Sequence, residues 1–89
     1  EGDLHPHLAR RMIQRGVTVE ELRQTMDEGW PASDAKPGTS GRTWVFPFCG
    51  EWEGQVFEEK EVTVYYRGVQ DSIVLLTVKA RYGKDFPRN

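Results

Sequence analysis

The chain has 89 residues, of which 37% are hydrophobic, 11% aromatic and 29% charged, and its formal net charge is −2. That length makes a single domain spanning residues 1–89, with a modest core that buries about 60–65% of the unfolded surface, and the composition excludes a disordered or collagen-like chain. The charge excludes a globally basic nucleic-acid binder, and the single cysteine, Cys49, excludes an internal disulfide framework and a cysteine zinc cluster.

Leu4 to Arg15 reads as a first helix. Leu4, Leu8 and Met12 stack at four-residue spacing, and Ala9 and Ile13 widen the stripe. Asp3 is placed to cap the start, Pro6 fits the first turn, and Gly16 supplies the stop. Thr18 and Glu21 carry the signature of a capping box, so a second helix follows, with Val19, Leu22 and Met26 as its apolar stripe and Gly29 as its end. Neither stripe closes a core alone, so both helices need a sheet to cover.

Pro31 to Gly41 reads as a loop, long for a small domain and therefore a place to look for function. Arg42 to Phe48 is the first strand, with Trp44, Phe46 and Phe48 on one face, and Pro47 argues for an edge position. A strand beginning at Gln55 runs through Glu58 to Arg67, a turn at Gly68 to Asp71 follows, and a third strand begins near Ser72. By alternation Val62, Val64 and Tyr66 share one face of the first hairpin strand, and Val74, Leu76, Val78, Ala80 and Tyr82 one face of the second. Tyr82 to Asn89 reads as a tail. The predicted class is α+β: an N-terminal helical hairpin on a curved antiparallel sheet of three to four strands.

Charge is uneven along the chain. Glu51, Glu53, Glu58, Glu59 and Glu61 crowd one stretch and read as a solubilising turn and edge-strand guard. Trp44 reads as core, Trp30 as cover for the sheet margin, and Trp52 as an exposed aromatic suited to a partner surface. Cys49 reads as a small apolar residue near a strand end. No apolar run is long enough to cross a bilayer and no signal-peptide pattern is present, so a cytoplasmic location is expected. The chain opens at Glu1 rather than at a methionine, as expected of a chain without its first few residues or of a piece of a longer protein.

The run His7-Leu-Ala-Arg-Arg11-Met12-Ile-Gln-Arg15-Gly16-Val-Thr18-Val-Glu-Glu21-Leu resembles the opening of the bacterial and archaeal domain-of-unknown-function 4258 family. The run from Val62 to Tyr66, followed by Ile73 through Thr77 to Arg81-Tyr82-Gly83, is similar to that family's ending. The resemblance spans most of the chain except Pro31 to Gly41. The family is similar to the RelE-like and BrnT-like ribonuclease toxins of the barnase–colicin–RelE group. It implies a RelE-like two-layer sandwich, RNA cleavage as a toxin-type endoribonuclease, and a small antitoxin protein as partner.

Metal-independent RNA cleavage needs a base for the 2′-hydroxyl, an acid for the leaving oxygen, and cations for the charge that builds on phosphorus. Histidine suits the first two near neutral pH, and arginine the third. The resemblance carries over His7 as acid or base. The polar face of the last strand adds Thr77, Lys79 and Arg81 as the catalytic set, with Arg81 as phosphate clamp and Lys79 as its partner. Arg11, Arg42, Tyr65 and Arg67 are the substrate-binding candidates, the tyrosine by stacking on a base. The set calls for no cofactor and no metal, and it leaves the oligomeric state open. The plainer alternative for Arg81 is an ion pair with Glu61 on an exposed sheet face. A rival function is a non-catalytic protein-interaction module working through Trp52 and the long loop, or a degenerate RNA-binding domain of the same fold. The enzyme reading requires His7 to lie near the Arg81 face.

Overall fold

Residues 6–88 are described by a computed structural model; Asp3, Leu4 and His5, part of the expected first helix and its cap, lie outside them. Helix α1 is Pro6–Arg15, and it buries Leu8 and Met12. Ile13, expected to widen that stripe, is instead 81% exposed. The helix ends in a double reverse bond, Val17 N–H to the Met12 carbonyl at 2.8 Å and Gly16 N–H to the Ile13 carbonyl at 3.2 Å. That closure needs a left-handed residue, and Gly16 takes it at φ 73°. Helix α2 is Val19–Glu28, and the capping box forms as the sequence predicts: the Glu21 N–H donates to Thr18 Oγ1, and the Thr18 N–H to Glu21 Oε1.

The sheet has four antiparallel strands in sequence order: β1 (Trp30–Pro31), β2 (Ser40–Trp52), β3 (Gln55–Val69) and β4 (Ser72–Gly83). The sequence does not announce β1, a two-residue strand beside Arg42 and Thr43. Because β1 is so short, the edge of β2 beyond it is open, which accommodates Pro47. The turn between β3 and β4 is tighter than expected, being only Gln70 and Asp71.

Both helices pack on one face of this sheet, giving an α+β domain in two layers. Its core joins Leu8, Met12, Val17 and Leu22 to Val62, Val64 and Val78. Here strict alternation in β4 fails. Tyr65 pairs with Thr77 but Tyr66 pairs with Leu75, so Leu76 is an extra residue in a bulge. Leu75, not Leu76, therefore packs against the core, and Val74 is 40% exposed.

A buried lysine ties the layers together. Lys60 lies between Val62 and Phe57 on β3 and is 3% exposed. Its ammonium donates to Glu21 Oε1 at 2.7 Å and to the Gly16 carbonyl, with Phe48 and Tyr82 rings about it at 5.7 and 5.6 Å. It thus holds the helix joint against the sheet. Trp52 stacks on Tyr82 at 4.8 Å with an 11° interplanar angle and is half-buried, so it is a packing residue rather than the exposed aromatic expected. Trp44 is half-buried and lies 5.5 Å from Trp30, at the margin rather than in the core cluster. Cys49 is exposed, at φ 46° in the irregular step of β2 between Pro47 and Gly50.

Candidate functional site

Side chains that alternate with Val62, Val64 and Val78 point away from the helices, and the register lines them up in rows. One row runs Trp30, Thr43, Thr63, Lys79 across all four strands. The next is Val45, Glu61, Arg81, and on the other side lies Gly41, Tyr65, Thr77. Glycine at 41 leaves room for the Tyr65 ring, which a methyl group there would crowd. The chain after β4 and the loop between β1 and β2 rise over this outer face. Between them is a groove of about 380 Å³ lined by Trp30, Asp34, Thr43, Glu61, Thr63, Lys79, Arg81 and Pro87, among others. That volume lies in the ordinary range of small-ligand sites.

The groove floor is polar and buried. Thr43 and Thr63 are 7% and 3% exposed, and their hydroxyls are hydrogen-bonded to one another at 3.0 Å. Each cation on the rim has a carboxylate. Arg81 Nε donates to Glu61 Oε1 at 2.8 Å, the pairing weighed as the plainer reading of the sequence. Lys79 Nζ donates to Asp34 Oδ2 at 2.6 Å, and the Tyr65 hydroxyl donates to the same carboxylate at 2.9 and 3.0 Å. These contacts set the proton affinities. Hydrogen bonds from Lys79, then Tyr65, hold the Asp34 carboxyl below its usual range. The bond to Asp34 pushes Lys79 up, burial pushes Tyr65 up, and the bond to Glu61 pushes Arg81 up. Near neutral pH the groove therefore presents protonated Lys79, Tyr65 and Arg81 beside an ionised Asp34.

Of the residues expected to form a site, Thr77, Lys79, Arg81 and Tyr65 do share one face. Arg67 is exposed toward the hairpin end of the same strand as Tyr65. The others lie elsewhere. His7 and Arg11 sit on α1, in the layer beyond the sheet, where with Arg10 and Gln14 they line a separate depression of about 270 Å³. The C-terminal end of α1 meets Tyr82, whose hydroxyl donates to the Arg15 carbonyl at 2.6 Å. His7 is near the other end of that helix, roughly 12 Å away along the axis. His7 thus belongs to the helical layer, while the Arg81 side chain projects from the opposite face of the sheet. Arg42 pairs with Val64 in register and donates to the Gly29 carbonyl at 3.2 Å, closing the end of α2 rather than facing the groove.

Asp34 escaped the sequence reading, and Glu61, expected there as a partner for Arg81, was misplaced as to its strand. Asp34 belongs to the long loop, and no local pattern brings it to Lys79, 45 positions away. Glu61 was grouped with an acidic edge guard, but β3 is an inner strand and Glu61 is 8% exposed. Glu59 is likewise structural: it accepts from the Phe86 N–H at 3.0 Å and from Arg88 at 2.7 Å, docking the tail. Among the described residues no group of three or more His, Cys, Asp or Glu side chains is arranged to hold a metal ion, and no helix is long and apolar enough to cross a membrane.

Comparison with known proteins gives no matching family model, no matching curated protein and no matching solved structure. The likeness to the 4258 family rests on the motif residues alone.

Proposed function

We propose that this domain binds single-stranded RNA in the groove on the outer face of its sheet and holds it without cutting it. The observation that carries this reading is the row of Lys79, Thr63 and Thr43 ending on Trp30, with Arg81 and Tyr65 on either side of it. Lysine and arginine on the rim meet phosphates, the Thr77 and Tyr65 hydroxyls meet sugar and phosphate oxygens, and Trp30 offers a ring on which an unpaired base stacks. The toxin-type endoribonuclease reading is weaker for a geometric reason. His7 lies across the sheet, Lys79 and Tyr65 hold their protons, and Asp34 is a poor base because its carboxyl titrates low.

Fluorescence anisotropy with a labelled oligouridylate tests the proposal. Binding is expected at low salt, with log affinity falling by about 0.7 per log unit of salt for each phosphate neutralised. Arg81→Ala and Lys79→Ala should each weaken it, while His7→Ala leaves it unchanged. A folded chain that does not bind at low salt overturns the reading, and one that converts the oligonucleotide to shorter products restores the endoribonuclease.

A separate observation favours a protein-interaction module, with an antitoxin-like protein among its partners. Val69, Ile73 and Val74 are 43%, 58% and 40% exposed and adjoin one another at the hairpin end. Such an apolar tip suits a protein partner. A chain that ignores RNA but forms a stable complex with a small protein encoded beside it would favour this reading.

A further inference from the structure

We propose that Asp34 occupies a phosphate subsite formed by Lys79 and Tyr65, so that the loop carrying it competes with the RNA strand for the groove. This rests on the RNA-binding reading and adds a control to it.

Three observations lead there. The first is the match of chemistry. An ammonium and a phenol hydroxyl converge on two oxygens of one anion, at 2.6 Å from Lys79 and 2.9 and 3.0 Å from Tyr65. A phosphate offers the same two oxygens to the same donors. The second is the way the loop is held. Residues 32–39 link β1 to β2. The base is closed by the Ala32 N–H on the Gly41 carbonyl, and Thr39 bonds only back to Lys36 within the loop. Among the hydrogen bonds of the described residues, those of Asp34 are the ones that fasten the middle of the loop to the sheet. The pair is solvated, with the Lys79 and Asp34 side chains 43% and 53% exposed, and such pairs are weak. An incoming phosphate can therefore exchange with Asp34 without dismantling the fold.

The third observation is the charge balance. The groove holds Lys79 and Arg81 against Asp34 and Glu61. Glu61 is fixed, being 8% exposed on an inner strand, but Asp34 is on a loop. Withdrawal of Asp34 leaves the groove with one positive charge in excess, next to a second cavity of about 360 Å³ bounded by Lys36, Tyr65, Leu76 and Thr77. The chain's negative total hides this: the cation is present, but its own carboxylate covers it.

The test uses the full chain, labelled oligouridylate and the variants Asp34→Ala, Asp34→Asn, Lys79→Ala and Asp34→Ala with Lys79→Ala. Asp34→Ala and Asp34→Asn should bind about fivefold tighter than the native chain, the gain expected from removing a weak competing pair. The gain should vanish when Lys79 is absent, since the two residues act through one contact. Inorganic phosphate gives a second readout that needs no RNA. Followed by NMR, it should shift the Tyr65, Thr77 and Lys79 amides at lower concentration in Asp34→Ala than in the native chain. RNA binding that is equal or weaker in both Asp34 variants overturns the competition while leaving the RNA reading intact. Absence of RNA binding with the phosphate response preserved overturns the RNA reading and keeps Asp34 as the occupant of an anion subsite. Absence of both responses overturns both.

Discussion

Glu61 and Arg81 face each other across β3 and β4, and their side chains are joined at 2.8 Å on the outer face of the sheet. The two ends of this pair are not equivalent. The Arg81 side chain is 59% exposed and the Glu61 side chain only 10%. Arg81→Ala therefore leaves a nearly buried carboxylate without its partner, whereas Glu61→Gln leaves a solvated guanidinium. Arg81→Ala should destabilise the fold by about 1–2 kcal/mol, measured by urea unfolding, and Glu61→Gln by less. Equal losses would mean that solvent, not the pair, satisfies Glu61.

The asymmetry is reversed at Lys60 and Glu21, where the cation is the buried end and the pair lies deeper. The Lys60 side chain is 3% exposed and that of Glu21 is 21% exposed. Glu21→Ala strands a buried ammonium on the Gly16 carbonyl, removes one half of the capping box, and should cost about 3–5 kcal/mol. Lys60→Met, which keeps the length of the side chain against Phe48 and Tyr82, should cost less. In the double variant the two losses should not add, and thermal unfolding of the four proteins reads that coupling.

Tyr82 gives a test at alkaline pH. Burial, then the charges of Glu21 and Glu53, push its hydroxyl up to about 12. The folded value lies above the ordinary tyrosine value of about 10. The native state therefore binds this proton more tightly than the unfolded state. The resulting stability is complete below about pH 10 and is lost as pH rises toward 12. Absorbance at alkaline pH should show a late phenolate step that Tyr82→Phe removes. A Tyr82→Phe chain that keeps that step would place the late ionisation on another tyrosine.

Acid should release the tail. The Arg88 guanidinium, then the Phe86 N–H, hold the Glu59 carboxyl below its usual range. A depressed carboxylate stabilises above its unfolded value and loses that contribution as pH falls through the folded one. The Phe86 amide, donated to Glu59, should therefore lose protection relative to its intrinsic exchange rate once pH drops below the ordinary carboxylate range. Glu59→Gln should show the same loss at neutral pH. Protection that persists in Glu59→Gln would mean that Phe86 is held by packing over Arg81, whose guanidinium lies 5.0 Å from its ring.

Most of the local architecture was legible in the sequence. The capping box at Thr18 and Glu21, the stop at Gly16 and the stripe of Leu8 and Met12 are written in neighbouring residues, because a helix is closed by bonds three to five positions apart. The same is true of the Val62 and Val64 face, since alternation is a property of one strand. These features determined two helices, a hairpin and an antiparallel sheet. They also placed Thr77, Lys79 and Arg81 on one side of β4, as three residues that remain in step beyond the bulge. What the sequence left open is where one element stands relative to another. The bulge at Leu76 depends on how β3 and β4 register, and the burial of Lys60 depends on the helix joint arriving above it. The layer occupied by His7 is set by which face of the sheet the helices cover. The meeting of Asp34 with Lys79 is set by the path of a loop that carries no periodic signal. Local bonds and side-chain period fix the elements. Only packing between distant segments decides which charges meet, and here it pairs each cation of the groove with a carboxylate and leaves the histidine on the far side of the sheet.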